Sequence, residues 1–171
     1  LVGDPLTITG PGLWNNAGLQ FLHKKGKDNI IRFTPINITL LLMTEHQIIS
    51  YQTYLDLTTG NFLNESTDEY FYKDVVSVAT KTMSKSYTHK KLGVIQLNEA
   101  ETFTLTTSGG TSVEVFLKDR KLIEALGLKG GEIPTTSAEK AIQVVRKMLR
   151  EKKQNEPFLN TSFLDISGPI S

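Results

Sequence analysis

Apolar residues recur at every second position through much of residues 30–117, and the spacing becomes helical only over 136–153. A period of two sends alternate side chains to opposite faces of a strand, whereas i, i+3, i+4, i+7 spacing makes one stripe on a helix. Ile38–Thr44 and Gln47–Leu57 are accordingly predicted as strands joined tightly at Glu45-His46. In the second, Ile49, Tyr51, Leu55 and Leu57 share a face with Thr53, and Thr58-Thr59-Gly60-Asn61 then reads as a hairpin turn. A further strand over Glu69–Thr80 puts Tyr70, Tyr72, Val76 and Val78 on one face, with Asp74 interrupting it. Lys81–Leu92 is polar and reads as a ribbon tip or mobile loop. Val94–Leu97, Glu101–Thr107 and Thr111–Leu117 follow as strands, the last two joined by a turn at Gly109-Gly110.

Lys118–Leu128 reads as a short helix or turn with Leu122, Ile123 and Leu126 as its apolar contacts, ended by Gly127, Gly130 and Gly131 ahead of Pro134. The long helix begins on a capping-box spacing, Thr136 three residues before Glu139. Ala138, Ala141, Ile142, Val145, Met148 and Leu149 form its apolar stripe. Lys140, Arg146, Lys147, Arg150, Lys152 and Lys153 occupy the other positions. Cations late in a helix favour its negative end, by roughly 0.3–1 kcal/mol each. This is a sheet-covering helix whose basic back is either a solvated face or a surface for anionic lipid or nucleic acid.

The termini lack such periodicity. Residues 1–29 alternate Gly3, Gly10, Gly12, Gly18 and Gly26 with Pro5 and Pro11, the pattern of an irregular arm. Within it Leu13, Trp14, Leu19, Phe21 and Leu22 precede Lys24, Lys25 and Lys27. Such a cluster folds back on its own domain or meets a partner groove or membrane interface. Residues 154–171 form a tail with scattered apolar residues. The expected organisation is therefore an arm over 1–29, a domain over 30–153 and a tail over 154–171.

Composition narrows the picture. A chain of 171 residues fits one domain and needs no covalent staple. It has no cysteine, which removes disulfides and thiolate chemistry and leans towards a reducing, cytoplasmic compartment. Asn37-Ile38-Thr39, Asn64-Glu65-Ser66 and Asn160-Thr161-Ser162 match the glycosylation tripeptide and are read as unmodified. The start at Leu1 leads us to expect a piece of a longer protein, and no run reaches the 18 or so apolar residues of a membrane span. Any membrane tether is expected outside this chain. The net charge of +1 hides a separation of signs. Between Glu45 and Asp74 stand six acids and one base, while Lys81–Lys91 holds four lysines and no acid. Separated charge is the pattern of a docking face or of exposed strands and loops kept soluble.

Two stretches carry a family resemblance: Glu69-Tyr70-Phe71-Tyr72-Lys73-Asp74-Val75-Val76-Ser77-Val78 and Glu101-Thr102-Phe103-Thr104-Leu105-Thr106. With the meander before them and the helix after, they resemble the pleckstrin-homology-like superfold, particularly its bacterial members, over about residues 35–153. The resemblance implies an α+β fold, a two-sheet antiparallel β-barrel whose open end is plugged by the C-terminal helix. Members that bind phosphoinositides carry a basic first hairpin. Here that region is Met43-Thr44-Glu45-His46-Gln47, which has an acid and no Lys or Arg.

Catalytic chemistry finds little purchase. His23, His46 and His89 have no zinc-site spacing. Asp68 and Asp74 share a strand parity that Glu69 does not, against a common acid site. Ser108-Gly109-Gly110-Thr111-Ser112 lacks the lysine of a phosphate loop, and no helix begins after it. The basic residues come without a nucleic-acid-binding motif. No cofactor or metal is implied. The sequence thus points to a non-catalytic interaction or membrane-proximal module. Its partner is expected to be a protein or an anionic membrane surface, with self-association as a further form of contact. The candidate contacts are the ribbon lysines Lys81, Lys85, Lys90 and Lys91, the helix cations Lys147 and Arg150, and Trp14 and Phe21 of the arm. The alternative is a small-ligand-binding or hydrolytic enzyme using the open end of the barrel.

Overall fold

The computed structural model describes residues 1–12, 20–89, 93–118, 120–128, 130–132 and 138–154. The strand-rich reading holds, and the architecture is α+β with antiparallel sheets. Strand β1 (Leu6–Pro11) pairs with β4 (Ile36–Met43), β4 with β5 (Gln47–Leu55), and β5 with β6 (Phe62–Phe71), giving a four-stranded sheet in the order β1-β4-β5-β6. Strands β7 (Val75–His89), β8 (Gly93–Thr107) and β9 (Ser112–Lys118) make a three-stranded sheet in chain order. Strands β2 (Leu22–Lys25) and β3 (Ile31–Thr34) form a small ladder of their own. Helix α1 (Arg120–Ala125) follows β9, and α2 (Ala138–Gln154) comes last. The capping box at Thr136 and the tail beyond Gln154 lie outside the described residues. Among the described residues, no helix is long and apolar enough to cross a membrane.

The main core lies between the two large sheets and α2. Ile8, Leu41, Ile48 and Tyr70 come from the first sheet, Phe103, Leu105, Val113 and Val115 from the second, and Ala141, Ile142 and Val145 from the helix. Burying an aliphatic or aromatic side chain of this size contributes about 1.5–3 kcal/mol, so the α2 stripe is held mainly by packing rather than by intrinsic helix preference. The sheets remain separate and do not close into a barrel, which corrects that part of the expectation. Tyr72–Asp74, a 3-10 turn, forms the corner between β6 and β7. It is tied on both sides: the Tyr72 hydroxyl donates to the Thr44 carbonyl at 2.8 Å, and the Ser108 N–H donates to the Asp74 carbonyl at 2.8 Å.

Three further expectations change. The segment expected to be an irregular arm supplies β1, an edge strand that buries Ile8, and β2. Six-residue and four-residue strands between glycines and prolines leave too short a pattern to read. The single strand expected over Glu69–Thr80 is broken at the corner, so Val75 rather than Val76 enters the core. The polar stretch Lys81–His89 is strand, hydrogen-bonded to β8 in a long ribbon.

Two bulges shape that ribbon. Val75 faces Thr107 and Ser77 faces Thr106, so Val76 is an extra residue in β7. Met83 faces Ala100 and Lys85 faces Leu97, so β8 carries one extra residue between Leu97 and Ala100. An extra residue shifts the alternation of faces by one. Ile95 and Leu97 therefore leave the face of Phe103 and Leu105 for the opposite one. There they join Phe21, Ile31, Phe33, Leu122 and Leu126 in a second core formed by the β2–β3 ladder and α1.

Candidate interaction groove

The corner turn sets the geometry of the groove. Val75 leaves it almost fully buried, Val76 bulges out at 60 % exposure, and Val78 returns to a half-buried position. Among the described residues β7 is the edge of its sheet, with no strand on its outer side. Helix α2 runs alongside. Its apolar stripe faces the core, and the flank next to that stripe carries Arg146, Arg150 and Lys153, an i, i+4, i+7 set.

Between β7 and α2 lies an open groove of ≈ 610 Å³. Its apolar wall is Val75, Val76, Val78 and Leu149, and its polar wall is Arg146, Arg150, Lys153 and Gln154 with Ser77 opposite. Three of these lining residues are cations and none is an acid. Two cations are held against the strand edge. Lys153 Nζ donates to the Val75 carbonyl at 2.6 Å, and Arg146 Nη2 donates to the Val78 carbonyl at 3.5 Å. Arg150 Nε donates to the Arg146 carbonyl one helical turn back, at 3.3 Å. An ammonium has three donors and a guanidinium five, so each side chain keeps further donors beyond these bonds.

The residues anticipated from the sequence fare unevenly. Arg150 is in the groove. Lys147 is exposed on another flank and reaches Glu151 at 3.8 Å, a surface pair of little energetic weight. Lys81 is exposed on β7, three residues beyond Val78. Lys85 lies on β7, but its side chain is outside the described set, as are Lys90, Lys91 and Trp14 entirely. Phe21, expected as a contact residue, is 7 % exposed and stacks on Phe33 with ring centroids 5.7 Å apart. Its ring is used to build the second core, which corrects that assignment. The sequence reading placed Arg146 and Lys153 on the basic back of the helix but did not bring Val76 beside them. The i, i+4, i+7 spacing of the cations was a usable signal, but the bulge that exposes Val76 was not.

Titratable groups elsewhere serve the fold. Asp56, at the end of β5, accepts from the Thr58 hydroxyl at 2.7 Å, the Thr58 N–H at 2.8 Å, the Thr59 hydroxyl at 3.0 Å and the Thr34 hydroxyl at 3.1 Å. These donors, Thr58 foremost, hold its carboxyl down to about 2 against the opposing effect of burial. Asp28 is likewise held to about 2, chiefly by its hydrogen bond from Arg32. Tyr70 is pushed up to about 12 by burial first and then by the charge and hydrogen bond of Asp68. His23 lies on β2 against Phe21, His46 in the β4–β5 turn and His89 at the end of β7, three separate places. Among the described residues no three metal-ligating side chains gather. Gly109-Gly110 forms the β8–β9 turn, with Gly110 at a φ of 84° that suits glycine.

Compared with family models, curated proteins and solved structures, the chain has no significant match.

Proposed function

We propose that this chain is a non-catalytic interaction module of pleckstrin-homology-like type that takes a protein partner in the groove between β7 and α2. The order of a four-stranded sheet, a three-stranded sheet and a final helix across their shared core supports the family reading. The observation that carries the functional reading is the groove itself: an exposed Val76 beside three cations, with no acid among the described lining residues. Apolar surface next to uncompensated charge is the composition of a contact patch, with the apolar part supplying affinity and the charge steering encounter. A protein is favoured over a membrane because the cations border an open groove that also has an apolar wall. The β4–β5 hairpin, moreover, turns through Glu45 and His46 and offers no Lys or Arg.

Titration of the ¹⁵N-labelled chain with oligo-glutamate at low salt tests this reading. Amide shifts are expected at 75–78 and 146–153, and they should fade as salt is raised towards physiological strength. Shifts confined to 81–89 would move the contact to the ribbon. Flotation with phosphatidylserine vesicles, without any response to the peptide, would replace a protein partner by a membrane.

A further inference from the structure

The groove also says what its partner looks like, provided that it is the contact site. We infer that it recognises an extended acidic segment in which a carboxylate side chain stands next to an aliphatic one, read by side chains rather than by addition of a strand to the sheet. A free strand edge invites an incoming strand because its outward carbonyls and N–H groups are unpaired. Here the Val75 and Val78 carbonyls already accept from Lys153 and Arg146, and the Val76 bulge breaks the regular ladder between them. A strand laid there meets cations first. The remaining recognition elements are the Arg146/Arg150 pair on successive turns of α2 and the exposed Val76 facing them across the groove. A guanidinium matches a carboxylate in a two-point hydrogen bond, and its charge is fixed at any physiological pH. The opening of ≈ 610 Å³ falls within the range of about 300–1,000 Å³ that holds a compact ligand, so it takes a few residues rather than a whole domain face. Among the described residues the lining has no acid, so the complementarity is one-sided: a basic segment finds no counter-charge from them.

The test uses three fluorescein-labelled hexapeptides of sequence Gly-Glu-Leu-Glu-Leu-Gly, Gly-Gln-Leu-Gln-Leu-Gly and Gly-Glu-Ser-Glu-Ser-Gly, with binding read by anisotropy. The first is expected to bind saturably and the other two at least about tenfold more weakly, the size of change that loss of one good contact gives. Arg150→Glu and Val76→Asp should each weaken the first peptide by about tenfold, and Lys81→Glu, outside the groove, by less than about twofold. Val76→Ser guards against an effect of the buried neighbours, and thermal melts confirm that each variant is folded. If the Leu-containing and Ser-containing acidic peptides bind equally and Val76 variants change nothing, recognition is by charge alone and this inference falls while the interaction module stands. If no acidic peptide binds or shifts the groove amides, both fall.

Discussion

Asp56 shows how much one side chain can organise where the chain leaves β5. It takes four hydrogen bonds, three of them from the two threonines that follow it and one from Thr34 at the end of β3. Thr34 in turn accepts the Leu57 N–H at 2.8 Å, so the β5–β6 turn is pinned to the segment entering β4. Because the folded-state carboxyl is held at about 2, below its usual 3.8, its contribution is present above roughly pH 4. It is lost as pH falls towards 2. Asp56→Asn is therefore expected to lower the melting temperature at neutral pH. The gap to the parent should narrow between about pH 4 and pH 2. Melting curves taken across that interval check it, and parallel curves would show that the carboxylate charge is not what the threonines hold.

At the scale of elements, periodicity identified β4, β5, β9 and α2 and parts of β6, β7 and β8; it missed β1, β2 and β3, and it failed where a single residue changed the count. Tyr70 and Tyr72 are buried as expected, but the corner and the Val76 bulge pass the inward position to Val75 and then to Val78. Asp74 interrupts the alternation of Tyr-Phe-Tyr-Lys-Asp-Val-Val without showing that the strand turns there, because the reason lies in distant partners: the carbonyl of Thr44 and the N–H of Ser108. The short strands of the first 29 residues were hidden for a similar reason, since β1 is specified by its pairing with β4. The groove was half legible, in the spacing of its cations, and its apolar wall was not. A prediction follows from the register. Deleting Val76 leaves Val75, Ser77 and Val78 opposite Thr107, Thr106 and Leu105 in an unbroken ladder, with the same two valines facing the core. The deletion variant is expected to fold at a cost of about 1 kcal/mol, the usual size for a tolerated change. Deletion of Ala79 instead shifts every later residue of β7 to the wrong face and should abolish the fold. Circular dichroism melts of the two separate these cases. An unfolded Val76 deletion would mean that the bulge itself is needed for the corner.

Over the whole molecule the β7–β8 ribbon is the shared beam, with one core on each face. The main core takes its near half, at Phe103 and Leu105. The second core takes its far half, at Ile95 and Leu97, under α1 and the β2–β3 ladder. The second is smaller, and it joins the first through β8 and through the passage from β3 into β4. Units with fewer buried contacts open at lower free energy, and they do so without unfolding the rest when their contacts are their own. Leu122, fully buried in α1, belongs to the second core alone. Leu122→Ala removes a buried side chain at a typical cost of about 2–5 kcal/mol, depending on how far the site collapses. The expected result is faster hydrogen exchange at the amides of Ile31, Phe33, Ile95 and Leu97, with protection kept at Leu105, Val115 and Val145. Loss of protection in equal measure at both sets would show that the ribbon transmits the damage and that the two cores unfold as one.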